Sequence, residues 1–473
     1  MIASTSSPFA IHDASPEMAG GARVLQVAFA CHPDHSMESR NGWRRATHAA
    51  RRHRVTLIYG DSTPVELLQR RAEEEGVGDR LELVPVQAGV IGKRWLRSAT
   101  TYYAGLRLWH RSAYAVAKQL HAAEPFDLVH QTTFCGYREP GYCWKLGVPF
   151  VWGPVGGTHA FPARFLGQLS CPRTLWIELC RNAINAWQLR FSRHVRHAAK
   201  QSAVLLSATR AAQADLRQAL GVDSTVCLET AIDGPIAEPR DARPAGEPVR
   251  ILWAGRLRAW KTLPLLLRAL ARMPAEFRYE LRVMGVGACE PKWRELAERL
   301  GIAQHIQWIG WPAYAETYEQ YRWADAFAFT SMRDTSGTGL LESLASGTPI
   351  VAVNHQGAAD IVNASCGLLV PVTGPEACIN AFAEHLLRLY NDKPLWKRLS
   401  DGALAQAERH TWEDQADALL GWYERALHAQ TAPATAIKLP KASGSPTTRS
   451  NPAGRGTTQP PASPRTVQIQ STV

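Results

Sequence analysis

Two α/β lobes, each a parallel sheet with helices on both faces, are the fold class this sequence predicts. Three observations carry that expectation. Short apolar strands alternate with helical stretches through the first half of the chain. A second set of the same kind starts near Pro248. The segment ARPAGEP (Ala242 to Pro248), rich in proline and glycine and without a period, separates the two sets.

In the first set, VLQVAFA (Val24 to Ala30) reads as a buried strand, short, apolar and β-branched at intervals. A helical stretch runs through Trp43 and Ala50, and VTLIYG (Val55 to Gly60), LELVPV (Leu81 to Val86), FDLVHQ (Phe126 to Gln131), PFVWGPVGG (Pro149 to Gly157) and AVLLSAT (Ala203 to Thr209) follow as strands. Strands buried on both faces read as such unbroken apolar runs. The second set holds the strand VRILWAGRL, a helix from about Leu263, the strand YELRVMGVG, a helix around Trp293 to Leu300, and the strands IQWIGW, ADAFAFTS, PIVAVN and GLLVPV. A helix from about Glu413 to Leu427 closes it. The expected division is a first lobe over 22–234, a second over 235–412, a closing helix over 413–430 that packs back on the first lobe, and a disordered tail over 431–473. The tail is Pro, Ser, Thr, Gly and Gln with scattered cations, too poor in apolar surface to fold, and the first 21 residues are small and polar.

Composition bounds the function more loosely. At roughly 100–200 residues per domain, 473 residues predict two or three domains. The nine cysteines show no C-x-x-C pair and no zinc spacing, so Cys135 and Cys143, in an apolar aromatic stretch, read as buried free thiols in a reducing cytosol. The start lacks the basic and apolar regions of a signal peptide, and no run approaches the roughly 18 apolar residues of a spanning helix. A net charge of +11 favours an acidic partner: nucleic acid, an anionic membrane surface or a phosphate-bearing substrate. No zinc-finger spacing, RRM-like motif or base-reading arginine helix supports nucleic acid.

Two stretches carry candidate chemistry. In WAGRLRAWKTLPLLLRAL a strand ends at Gly255, with Arg256 and Lys261 at the mouth of the next helix. Ligands of open parallel sheets bind outside the carboxyl ends of the strands, where a helix start favours anions. Arg256 offers a planar fork to phosphate oxygens and Lys261 a point charge. The competing reading is two solvated cations on a loop. In SMRDTSGTGLLESLASGTPIVAVNHQGAADIV a strand leads into a turn containing Gly337, Thr338 and Gly339, where successive amides can face phosphate oxygens. Asp334 precedes the turn and Glu342 lies in the first turns of the helix; acids there also stabilise the helix itself.

Together the two stretches resemble the C-terminal lobe of retaining glycosyltransferases of the GT-B fold, glycosyltransferase family 4. The resemblance implies that Arg256 and Lys261 grip a donor diphosphate. Two family glutamates with seven residues between them fall on Asp334 and Glu342; Glu342 is implied as the ribose contact, and Asp334, one methylene shorter, faces the donor sugar. ETAIDG (Glu229 to Gly234) sits where the family's lobe-to-lobe turn lies, and HTWEDQADALLGWYERAL looks like its closing region. QTTFCGYREPGYCWKLGVPFVWGPVGGTHAF resembles bacterial members acting in surface-polysaccharide assembly. The likeness covers about residues 22–430, most specifically in the second half.

What this implies is transfer of a sugar, with retention, from a nucleotide diphosphate-sugar to a glycan or polyprenyl-diphosphate-linked acceptor. The nucleotide sugar is a substrate, and no further cofactor is expected. The chain has no D-x-D triplet to hold a divalent ion, so protein cations are expected to stabilise the leaving diphosphate without metal. His130, at a strand end where the family often has an H-x-H pair, is a candidate catalytic imidazole; the pair's second position is Thr132 here. His159, after Gly156 and Gly157, is its rival, and Arg138 and Glu139 are candidate acceptor contacts. A sugar-nucleotide epimerase on the same fold and a non-catalytic basic binding protein are the alternatives. A NAD dehydrogenase is not expected, since the first strand leads into CHPDHSMESRNG with no G-x-G-x-x-G turn.

One segment suggests a surface. From Phe161 to Lys200 the chain carries Arg164, Arg173, Arg181, Arg190, Arg193, Arg196 and Lys200 against the single acid Glu178, interleaved with Phe165, Leu169, Leu175, Trp176, Leu179, Trp187, Leu189 and Phe191. Such a mixture lies in a bilayer interface, peripheral on the cytoplasmic face, or else is a core-packed helix with a solvated basic side.

Overall fold

The computed structural model describes residues 21–431 except 36, 61–62, 99–100, 134–135, 170 and 245, and leaves the side chains of residues 37, 314, 315, 430 and 431 undescribed. The first 20 residues, the tail beyond 431 and Cys135 therefore lie outside the described residues, along with the expectations placed on them.

The first sheet holds β1 (Arg23–Ala28), β2 (Arg54–Tyr59), β3 (Leu81–Pro85), β4 (Leu128–Gln131), β5 (Phe150–Val155), β6 (Ser202–Ser207) and β7 (Thr225–Val226) in the order β3-β2-β1-β4-β5-β6-β7. The second holds β8 (Val249–Ala254), β9 (Tyr279–Met284), β10 (Ile306–Gly310), β11 (Ala326–Phe329), β12 (Ile350–Val353) and β13 (Gly367–Val370) in the order β10-β9-β8-β11-β12-β13. Every pairing is parallel; Val24, for example, lies beside Val55 on one side and Leu128 on the other. Both sheets thus have a doubly wound, Rossmann-like order, and the two parallel-sheet lobes expected from the sequence are present. Central strands such as β1, β11 and β12 are buried along their whole length, which is why they read as unbroken apolar runs. The two-residue edge strand β7 has no such run, and sequence patterning missed it.

Each sheet reverses its winding once, between β1 and β4 and between β8 and β11. Ligands bind at such reversals, outside the carboxyl ends of the strands. Two chain segments tie the lobes together. Phe161, Phe165 and Leu169, although they precede β6, pack into the second lobe's core. Helix Trp412–Thr431 returns to the first sheet, where Leu419, Trp422, Tyr423 and Ala426 join Val24, Val55 and Leu128 in one cluster.

Candidate functional site

β8 ends at Ala254. Gly255 then opens a loop that closes in a short 3-10 turn, Ala259–Lys261, before helix Leu263–Leu270. The loop after β11 runs alongside it, and hydrogen bonds lace the two. Met332 N donates to Trp260 O (2.9 Å), Trp253 Nε1 to Thr330 Oγ1 (2.9 Å) and Thr330 Oγ1 to Lys261 O (2.5 Å). The Arg333 guanidinium lies 3.9 Å above the Trp260 ring. The loop then turns at Gly337, whose φ of 55° is left-handed and suits glycine, directly into helix Thr338–Ala345.

A cleft of about 960 Å³ opens at this point between the lobes. Arg256, Lys261, Asp334, Gly337, Thr338, Gly339 and Glu342 line it from the second lobe, and Glu139, Gly156 and Gly157 from the first. The two sequence stretches thus meet at the β8/β11 reversal, with Lys261 and Asp334, 73 residues apart, in contact. Arg256 is exposed and makes no ion pair or side-chain hydrogen bond among the described residues. Lys261 is ion-paired with Asp334, both partly buried, so its partner is a carboxylate of the site itself. Glu342 is buried and hydrogen-bonded to the Tyr321 hydroxyl. Burial pushes its carboxyl above the ordinary range, against the pull of that hydrogen bond and of Arg40.

Three candidates do not reach the cleft. His130 is fully buried: Nδ1 bonds the Tyr423 hydroxyl (2.8 Å) and Nε2 the Gly153 carbonyl (3.0 Å). Burial first, then Arg45, lowers its pKa to about 3. With both ring nitrogens engaged in the core it is a structural histidine, and the catalytic role expected for it is corrected. His159 is held by Asp215 (3.0 Å) and Thr209 (3.2 Å) outside the cleft lining. Arg138 is bonded to Asn185 and stacked 5.3 Å from the Tyr103 ring. Glu139 does line the cleft but is bound by Arg107 (3.1 Å from Nε to Oε2), which opposes the upward push of burial on its carboxyl. Sequence reasoning passed over Tyr321, Ser336, Glu38, Arg45 and Glu229, all of which line the cleft. Ser336 adjoins the glycine turn and Glu229 opens the ETAIDG stretch, but neither side chain announces a contact locally, and for all five only the packing shows that they face the cleft.

The surface segment also divides in a way the sequence did not show. Phe165, Leu169 and Leu189 are buried, whereas Trp176, Trp187 and Phe191 are 68%, 62% and 64% exposed. In helix Pro172–Phe191 the face turned to the protein carries Glu178 and Asn185, both buried, and Glu178 grips Arg333 (2.6 and 2.8 Å) across the lobes. No described helix is long and apolar enough to cross a membrane.

Comparisons with known proteins bear on the fold and on the second lobe. A D-inositol 3-phosphate glycosyltransferase of Stackebrandtia nassauensis is 35% identical over 199 residues, which is 39% of this chain; the match spans 44%, less than half, of that relative's own length. A lipopolysaccharide outer core galactosyltransferase has a similar fold, with a TM-score of 0.58 and 15% identity over 86% of this chain and 99% of its own. So does an Anabaena protein solved in complex with UDP, with a TM-score of 0.54 and 15% identity over 84% of this chain and 99% of its own. Residues 237–406, which contain the whole second-lobe side of the cleft, match the family model of glycosyl transferases group 1, and around them the described chain has the two-lobed GT-B fold.

Proposed function

We propose that this chain is a glycosyltransferase of family 4 that moves a sugar, with retention of anomeric configuration, from a nucleotide diphosphate-sugar to a glycan or polyprenyl-diphosphate-linked acceptor in bacterial surface-polysaccharide synthesis. The observation that carries the reading is the meeting of Arg256, Lys261 and the Gly337–Gly339 turn at the β8/β11 reversal, with Glu342 on the same cleft wall. The donor diphosphate sits on the turn's amides and the two cations, and Glu342 accepts from the ribose hydroxyls. As the bond from the anomeric carbon to phosphate breaks, negative charge grows on the leaving diphosphate, where Arg256 and Lys261 stabilise it more than in the ground state. The acceptor hydroxyl forms the new bond on the same face and passes its proton to the departing phosphate oxygen. Lys261 exchanges Asp334 for the phosphate, leaving the Asp334 carboxylate to face the donor sugar. Protein cations supply the charge, so the reaction is metal-independent.

Acceptor contacts fall to the first lobe's side of the cleft, to Glu139, Gly156 and Gly157. The likeness to a lipopolysaccharide galactosyltransferase supports a surface-glycan acceptor, and the neighbour solved with UDP supports a nucleotide donor. Helix Pro172–Phe191 supports a bilayer partner: it turns polar groups inward and Trp176, Ile177, Ile184, Trp187 and Phe191 outward, flanked by exposed Arg173, Arg190, Arg193 and Lys200. An apolar outer face ringed by cations fits an anionic membrane surface, with the chain peripheral on the inner leaflet of the cytoplasmic membrane. A screen of UDP-, GDP- and ADP-sugars for binding and hydrolysis, with and without EDTA, tests the donor assignment. Binding of none of them, or formation of an altered nucleotide sugar without acceptor, overturns it; a metal requirement overturns the mechanism.

A further inference from the structure

Glu229 has no part in the mechanism above, yet it stands at the edge of the donor site. It lies between β7 and β8, where the chain crosses from one lobe to the other, and it lines the cleft. Ser336, immediately before Gly337, is tied to it twice: Ser336 Oγ donates to Glu229 Oε2 (3.0 Å), and Glu229 N donates to Ser336 Oγ (3.2 Å). On its other side is Gly156 of the first lobe. A Cβ there would lie 2.8 Å from Glu229 Oε1 and 2.5 Å from Thr335 Cγ2, so a side chain at this position would displace Thr335 or the Glu229 carboxyl. Two chain segments of the first lobe therefore converge on the turn proposed to hold the diphosphate.

The charges facing Glu229 leave its carboxylate without a cation of its own. Arg45, on helix Met37–Ala50, is the cation that acts on it, but its Nη2 bonds the main-chain oxygens of Leu228 (3.3 Å) and Glu229 (2.8 Å). Lys261 is held by Asp334. Glu38, on the same helix as Arg45, and Asp334, on the loop after β11, add like charge, and the neighbouring Cys227 thiol is itself raised, to about 11, and uncharged near neutrality. Burial first, then Glu38 and Asp334, push the Glu229 carboxyl up to about 7 in spite of Ser336 and Arg45. A diphosphate arriving one residue from Ser336 brings two more negative charges, and a carboxylate there must repel it or take a proton.

We propose that Glu229 couples donor binding to proton uptake: the diphosphate settles on the Ser336–Gly339 turn with the Glu229 carboxyl protonated, and ionised Glu229 opposes it. The proton comes from solvent, and the Ser336 hydroxyl can then turn toward a phosphate oxygen. The inference rests on the donor-site reading. Its ligand class is a nucleoside diphosphate ester, which has no phosphate group that titrates near neutrality.

Calorimetric titration of the full chain with UDP-, GDP- and ADP-glucose, in buffers of different ionisation heat near pH 7.5, reads the coupling directly. The expected result for the sugar nucleotide that binds is uptake of a large fraction of one proton, and a dissociation constant that rises up to about tenfold from pH 7.5 to 8.5. Glu229→Gln keeps the shape and can still accept from Ser336. It is expected to bind at high pH at least as tightly as the parent, with no proton uptake and a flat profile. A parent that binds without proton uptake, or a Glu229→Gln variant that keeps the parent's pH dependence, overturns the coupling while leaving the donor site in place. Failure of all three ligands at every pH overturns the donor-site reading and the coupling with it.

Discussion

Replacing Arg256 with alanine removes an exposed guanidinium that lines the cleft and makes no ion pair among the described residues. No buried partner is orphaned, so the unfolding free energy should move by no more than about 0.5 kcal/mol. The cost falls on turnover. One charge-assisted contact to the leaving diphosphate contributes about 2–4 kcal/mol of transition-state stabilisation, which corresponds to a fall of about 30- to 1000-fold in kcat/KM. Lys261→Ala behaves differently, because Lys261 is already paired with Asp334 at 17% and 24% side-chain exposure. Its loss removes a partly screened ion pair, about 1 kcal/mol of stability, and leaves an unpaired carboxylate beside the diphosphate. Turnover of Lys261→Ala should therefore fall further than that of Arg256→Ala, and the double variant Lys261→Ala with Asp334→Asn should recover part of the donor affinity. The assay is initial-rate kinetics with the sugar nucleotide that binds, alongside thermal melts of each variant. Parent rates in both single variants, at unchanged melting temperatures, would refute the site.

Glu342→Ala should raise the donor dissociation constant by about 10- to 150-fold, the value of a hydrogen bond to a charged group, and should erase discrimination against a 2′-deoxyribose nucleotide; equal discrimination in variant and parent removes Glu342 from the ribose. His130→Ala should cost about 2–4 kcal/mol of stability through the void and the loss of the acceptor for the Tyr423 hydroxyl proton, whose oxygen keeps Gln26, with donor affinity unchanged in the folded fraction. Because the folded protein holds His130 neutral down to about pH 3, against an ordinary 6.5, the parent loses this contribution as pH falls through that window, and the variant's pH–stability curve should be flatter there. Full-length protein should co-sediment with anionic vesicles at low salt. Trp176→Ser with Trp187→Ser should abolish that without altering donor affinity, and a parent that ignores such vesicles rules out the docking face.

The legible parts of this protein were those written in local chemistry. Strand and helix alternation follows from apolar period and turn residues, and these placed both sheets. The Gly255–Arg256 turn and the Gly337–Gly339 turn stood out because each joins a strand to a helix within a few residues, which is where an open sheet binds anions. His130 was equally visible, at a strand end, but its role depends on Tyr423, 293 residues away on a helix that seals the first sheet. No window around His130 contains that partner, and the imidazole that looked available is a buried hydrogen-bonding post.

Glu229 and helix Pro172–Phe191 make the same point in opposite directions. Glu229 opens a stretch that reads only as a connection between the lobes, and gains meaning from Ser336, 107 residues on, and from Gly156 on a distant first-lobe segment. The helix has a plain mixture of apolar and basic residues, but a hydrophobic pattern does not say which side faces inward. Here Glu178, reaching Arg333 across the lobes, draws the polar side in and leaves Trp176, Trp187 and Phe191 outside. The amino-acid sequence by itself determined the two parallel-sheet lobes and the cation-and-turn side of the cleft, because periodicity and turn chemistry act over a few residues. Only the tertiary structure decided which polar groups are free to meet a ligand, because a buried polar group must find a partner, and that partner comes from whichever distant segment packs against it.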